Sequence, residues 1–285
     1  MNAINNILFH IHIMWYESKM LNETLDSLQE ALKNTKLDVD IKLCLNSQTY
    51  IEQPIKGKAE DMFTEFVNHP VLKNAEIVYK TNNDTFYNVG DWRRDIYSSG
   101  YKYIVWGESD TLVPEDYFYI LENLNIEEPH ILSLSSRKMW DDSWKPVEYV
   151  DYQTLNKPHD ELGIASCGAY INYEELCELN NKYDINIIKL PVVKIDGSML
   201  ALSPNLPNPW ISPKQHFYGE DTCTALFFTH HKIPQYHINT RIKGHNYNHP
   251  LKRTNTPNTR NDDVFKKYAN ESQIAMNEFI NNMLL

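Results

Sequence analysis

"NVGDWRRDIYSSGYKYIVWGESD", residues 88–110, decides the fold class. A Gly turn opens a helix expected over 89–99, which carries Arg93 and Arg94. A strand is expected over 101–107. Just past its end stand Glu108, Ser109 and Asp110. A helix feeding a short apolar strand is half of a strand–helix–strand unit.

Upstream, the same alternation repeats. "NILFHIHI" (6–13) is a first strand, bounded by polar residues. Asn22 caps an expected helix with Leu21, Leu25, Leu28 and Leu32 at helical spacing. "DVDIKLCL" (38–45) is a second strand. Met62, Phe63, Phe66 and Val67 share one face of a helix over 58–67. "AEIVYK" (75–80) is a third strand. Downstream, Pro114 suits the first turn of a helix whose face holds Tyr117, Leu121 and Leu124. The alternation implies an α/β fold with a mostly parallel sheet, in which ligands bind at the carboxyl ends of the strands. Glu108 and Asp110 fall at such an end.

The later half is less regular. Strands are expected at 130–135 and 165–172, with a short helix at "YEELCEL" after the second. "VVKIDGSMLAL" (192–202) carries a hairpin signal, Asp-Gly between apolar runs. "SPNLPNPWISP" (203–213) reads as a loop. From Asp262 onward, Phe265, Tyr268, Met276, Phe279 and Met283 mark an amphipathic C-terminal helix. Its polar face is not strongly basic, which favours packing on the domain over a membrane surface; a dimer contact is its other use.

Of the 285 residues, 42% are hydrophobic and 23% charged, the profile of a globular chain with a sizeable core. A net charge of -11 argues against nucleic acid or anionic membrane as the default partner. Cys44, Cys167, Cys177 and Cys223 form no C-x-x-C pair and read as reduced cysteines of a cytoplasmic protein. The N-terminus lacks a basic flank and cleavage site, and no run is long enough to span a bilayer.

Four constellations carry chemistry. In "GESDT", carboxylates at i and i+2 of an extended chain share one side and suit a divalent cation; a solvated turn is the bland account. In "HFYGEDTCTALFF" (216–228), Glu220 and Asp221 open a helix, either as dipole capping or as a general base aimed into a cleft. "RIKGHNYNHP" (241–250) places His245 and His249 in a loop, where a histidine near a carboxylate-bound cation is a natural nitrogen ligand. In "NVGDWRRD", a helix N-terminus beside guanidinium groups suits a diphosphate.

In this order the motifs resemble a GT-A nucleotide-sugar glycosyltransferase, in particular the inverting family-two branch. "IMWYESKMLNETLDSL" looks like that family's first strand, turn and helix. "IKLCLNSQT" looks like its second strand, with Asn46-Ser47-Gln48 where Asp-Asp-Gly-Ser is usual. The opening stretch is similar to its Gly, Ala-Arg-Asn, helix, strand and Asp-x-Asp run, with Glu108 replacing the first Asp. "GEDT" resembles the Glu-Asp motif of the acceptor half. The resemblance covers roughly residues 6 to 250.

The resemblance implies a single catalytic domain over 1–250, with a nucleotide-sugar half (1–115) and an acceptor half (116–250), followed by a tail (251–285). It implies a nucleotide-diphosphate donor, a UDP-sugar first, and Mn²⁺ or Mg²⁺. Asp110 would be the direct metal ligand, completed by His245 or His249. Glu108 would bind ribose or the cation through water, and Arg94 the diphosphate. Tyr16, Glu17 and Asn46 would line the nucleoside pocket. Asp221 would be the general base and Glu220 would orient the acceptor. Trp140, Trp144, Trp210, Phe217 and Tyr218 fall in expected loops and suit stacking on an acceptor, a glycan or glycoconjugate first. Two alternatives are a glycosyltransferase acting on hydroxymethylated bases of viral DNA and a non-catalytic sugar-binding module. A nucleotidyltransferase lacks support, since no Gly-rich Arg/Lys loop comes after the first strand.

Overall fold

The computed structural model describes residues 6–14, 18–46, 68–80, 88–98, 100–137, 172–193, 195, 197–216, 219–245 and 263–284. The elements run in chain order: β1 (Asn6–Met14), α1 (Ser18–Lys33), β2 (Asp38–Asn46), a 3₁₀ turn (Pro70–Asn74) and β3 (Glu76–Lys80). Next come α2 (Val89–Asp95), β4 (Tyr103–Glu108), β5 (Thr111–Leu112), α3 (Tyr117–Asn123) and β6 (Ile131–Arg137). The later half supplies α4 (Tyr173–Asn180), β7 (Ile187–Lys189), β8 (Leu200–Leu202), α5 (Glu220–His230), β9 (Gln235–His245) and α6 (Asp263–Leu284).

The sheet order is β3-β2-β1-β4-β8-β6-β9-β5, with β7 also on β9. The first four strands are parallel, as the sequence alternation requires. The sheet as a whole is mixed: β8 lies antiparallel between β4 and β6, and β9 is parallel to β6. β1 is central because it is apolar on one face and closely covered on the other. Ile7, Phe9, Ile11 and Ile13 meet Leu21, Leu25 and Leu28 of α1 and Phe118 and Leu121 of α3 in the main core. Each such side chain contributes about 1.5–3 kcal/mol of burial.

Three expectations change. α1 starts at Ser18, not after Asn22, because Leu21 belongs to the buried stripe and needs a helical turn before it. The hairpin at 192–202 does not form. Val192 is 54% exposed, and the second apolar run pairs with β4 and β6 instead. Residues 241–245 are not loop but the end of β9. Along them Arg241 pairs with Asp116 and Lys243 donates to the Ser198 carbonyl, while Ile242 packs against Leu112 and Leu176. The expected helix 58–67 and most of the strand 165–172 lie outside the described residues.

α6 packs on the domain, as its weakly basic polar face suggests. Phe279 stacks on Phe227 of α5 at 6.2 Å, and Ala275 and Met276 are buried. No described helix is long and apolar enough to cross a membrane.

One core residue makes a test of this packing. His10 is 1% exposed, and neither ring nitrogen has a hydrogen-bond partner. Burial, then the charges of His12, Arg93 and Lys42, hold its pKa well below the usual histidine value. The folded state therefore keeps His10 neutral, while the unfolded chain takes up a proton near pH 6.5. Stability from this residue is complete above that pH and is lost as pH falls, by up to about 1.4 kcal/mol per pH unit. Urea unfolding of wild type and His10→Leu between pH 7.5 and 5 should show wild type losing ground to the variant below about pH 6.5. A pH-independent gap between the two would contradict it.

Candidate active site

The site forms at the carboxyl edge of the parallel strands. β4 ends in Glu108, and the chain then turns at Ser109–Asp110 before β5. This is a turn, so the extended i, i+2 geometry expected for Glu108 and Asp110 is not what forms. α1 clamps the turn from below: Thr24 Oγ1 donates to the Ser109 carbonyl at 2.8 Å, and Ser27 Oγ accepts from the Val113 N–H at 3.0 Å. Asp110 is 2% exposed. β5 pairs Thr111 with His245, so the end of β9 lies beside the residue after Asp110. The buried Thr111 hydroxyl has no hydrogen-bond partner among the described residues.

The centre of the site is Arg93, 2% exposed on α2. Its guanidinium donates to Glu108 Oε1 at 2.6 Å, to Glu220 Oε1 and to the Gly197 carbonyl. It also lies 4.9 Å from the centroid of the Trp106 ring. Burial alone would disfavour its charge, but Glu220, Glu108 and Asp221 outweigh that and raise its pKa. At Glu220 burial raises the carboxyl pKa and Arg93 works against the rise, while Asp221 adds to it.

α5 begins after Gly219, whose φ of +73° is the left-handed conformation that glycine adopts without strain. Successive residues of the first turn then diverge. Glu220 points inward to Arg93, whereas Asp221 is half-buried and takes the Thr222 N–H at 2.7 Å.

α2 does not offer its N-terminus to a ligand. Asn88 and Asp91 form a capping box, and the Gly90 N–H donates to the His216 carbonyl at 2.9 Å. A Cβ on Gly90 would stand 2.5 Å from the Gln215 carbonyl oxygen, so glycine here admits the crossing backbone. Asp91 also holds His216 Nδ1 at 2.8 Å. Arg94, expected to hold a diphosphate, is engaged locally by Asp91 at 2.8 Å, Asp95 at 2.9 Å and the Ser212 carbonyl at 3.2 Å. The guanidinium that reaches the acids belongs to its neighbour.

The sequence held a signal for Arg93. Val89, Trp92, Arg93 and Ile96 are spaced i, i+3, i+4, i+7, so Arg93 shares the sheet-facing stripe and Arg94 does not.

The remaining expected site residues fall into three groups. Trp210, expected to stack on an acceptor, is fully buried between Tyr97 at 4.6 Å and Phe228 at 5.3 Å, because the Pro-rich loop folds its indole into the core. It has no face open to a ligand. Tyr16, Glu17, His249, Trp140, Trp144 and Tyr218 lie outside the described residues, as does Phe217. Asn46 and His245 are placed by backbone, at the ends of β2 and β9. Among the described residues, no group of three His, Cys, Asp or Glu side chains is arranged to hold a metal ion.

No protein-family model matches the sequence, and no curated protein matches it. Solved structures do resemble it. S. aureus TarS residues 1–349 align over 94% of this chain and 70% of that one, with TM-score 0.46 and 10% identity. GalNAc-T7 with UDP, GalNAc and Mn²⁺ aligns over 87% of this chain but only 45% of that one, again with TM-score 0.46 and 10% identity. The inositol-1-phosphate CTP transferase from T. maritima aligns over 94% and 97%, with TM-score 0.39 and 12% identity. At such values none of these likenesses assigns an activity.

Proposed function

We propose that this chain is a GT-A nucleotide-sugar glycosyltransferase that moves a sugar, from a UDP-sugar first, to an acceptor hydroxyl with inversion. One observation carries the reading. Glu108 at the end of β4 and Glu220 at the start of α5 meet through Arg93 at the strand edge where α/β folds bind ligands. A carbohydrate-binding surface alone has no need of an acid from each of two acidic motifs brought to one point, one from the donor half and one from a helix start.

Asp110 would hold Mn²⁺ or Mg²⁺. The unpartnered Thr111 hydroxyl and the approach of the β9 end fit an oxygen-and-nitrogen set completed by His245 or His249. The cation would stabilise the negative charge of the departing diphosphate as a Lewis acid. Asp221 would take the proton of the acceptor hydroxyl as that oxygen attacks opposite the leaving group. Glu220 is held by Arg93, so it would orient the acceptor side and not move a proton. Tyr16, Glu17 and Asn46 are assigned to the nucleoside, and Trp140, Trp144 and Tyr218 to a glycan or glycoconjugate acceptor.

The test is a panel of nucleotide sugars with Mn²⁺, scored for donor hydrolysis and thermal shift. At least one UDP-sugar should raise the melting temperature and be hydrolysed slowly. A shift without hydrolysis would favour the sugar-binding module, and no shift with any nucleotide would remove the transferase reading.

A further inference from the structure

Glu108 stands where the resemblance expects Asp, one methylene longer. That extra length has a use in this fold. Arg93 joins three segments that are distant in sequence: the end of β4, the turn before β8 and the start of α5. Gly197 leaves no room for a side chain there, since a Cβ would stand 2.8 Å from Arg93 Nη1. The planar guanidinium offers five donors in a fixed fork, so it can serve three acceptors at once, which a lysine ammonium on a flexible stem does less well. An aspartate at 108 would fall short of it by about 1.5 Å, one carbon–carbon bond.

Burying such an ion cluster is not a cheap source of stability, because both signs of charge are desolvated. Its gain is geometry. Glu108 is 29% exposed in its side chain and Glu220 11%, so the cluster runs from the mouth of the site into the interior. Through it, the first turn of α5, with Asp221, is fixed against the donor edge.

We propose that Arg93 is a positioning residue for the transfer, with Glu108 as its counter-ion and not as a cation ligand. The inference rests on the transferase reading for its catalytic part only.

The experiment has three arms on the full chain. Without ligand, urea midpoints of Arg93→Lys, Glu220→Gln and the double variant should show the double no lower than the worse single; additive losses would overturn the tie. In UDP titrations with and without Mn²⁺, Glu108→Gln should keep the metal-dependent gain in affinity, and loss of that gain would make Glu108 a ligand after all. In donor hydrolysis, Arg93→Lys and Glu108→Asp should each lower kcat about tenfold with KM unchanged, a split that loss of general stability does not produce. Glu108→Asp covers the case in which Arg93→Lys fails to fold. If wild type binds no nucleotide, the transferase reading falls, and the first arm alone decides the tie.

Discussion

Asp221→Asn should lower kcat for transfer or donor hydrolysis by about 10²–10⁴-fold, the range typical of a lost general base. Nucleotide affinity should stay within about twofold, since the interaction removed is one made only in the transition state. The substitution keeps the local hydrogen bond of the helix start. Asn keeps the oxygen that accepts the Thr222 N–H, so the first turn of α5 retains its hydrogen bond. The loss of negative charge at a helix start costs about 0.3–1 kcal/mol. Glu220→Gln should behave differently, because Glu220 faces the buried Arg93 and its neutralisation strips a charge partner from the interior. That variant should lose stability first, by about 3–5 kcal/mol if the pair is broken outright. Stopped turnover with a near-native melting temperature in Asp221→Asn, beside a depressed melting temperature in Glu220→Gln, would separate base from support. Full turnover in Asp221→Asn would move the base elsewhere, and His216, braced by Asp91 beside the same loop, would be the first place to look.

The parallel half was legible because its physics is local. Each strand from β1 to β4 is a short stretch of apolar or alternating residues, and α1 repeats leucine on one stripe. The late half was harder for a specific reason. β9 alternates Arg241, Ile242, Lys243, Gly244 and His245, and its charges are consumed by Asp116 and the Ser198 carbonyl, contacts that no local pattern shows. Trp210 misled in the opposite direction, since a Pro-rich loop suggested exposure while its indole closes the second core cluster. Within the site, the acid pairs were visible as motifs but the tie between them was not. Glu108 and Glu220 are 112 residues apart, and only the fold puts one arginine between them. The two arginines fall on different faces of α2, which the 89, 92, 93, 96 stripe distinguishes: Arg93 reaches the acids and Arg94 bonds locally.

Asp110→Asn carries the second large effect, on binding and not on proton transfer. The side chain is held at a turn that α1 fixes from two points, Thr24 to the Ser109 carbonyl and Ser27 to the Val113 N–H. Neither bond uses the Asp110 carboxylate, so both survive the change to an isosteric amide, and a melting curve of Asp110→Asn checks that the turn holds. What it removes is the negative oxygen that a divalent cation needs at the edge shared with Thr111 and the end of β9. Loss of groups that merely orient metal ligands costs about 10–100-fold in affinity, so a direct ligand should cost at least about 100-fold. Calorimetric titration of UDP should therefore show the Mn²⁺-dependent part of the affinity abolished in Asp110→Asn. The weaker binding measured in EDTA should stay as in wild type. Glu108→Gln supplies the internal contrast, because its carboxylate bonds to Arg93 while that of Asp110 is the one assigned to the cation. Equal losses in the two variants would mean that both acids face the metal, and an unaltered Mn²⁺ response in Asp110→Asn would mean that Asp110 does not hold it.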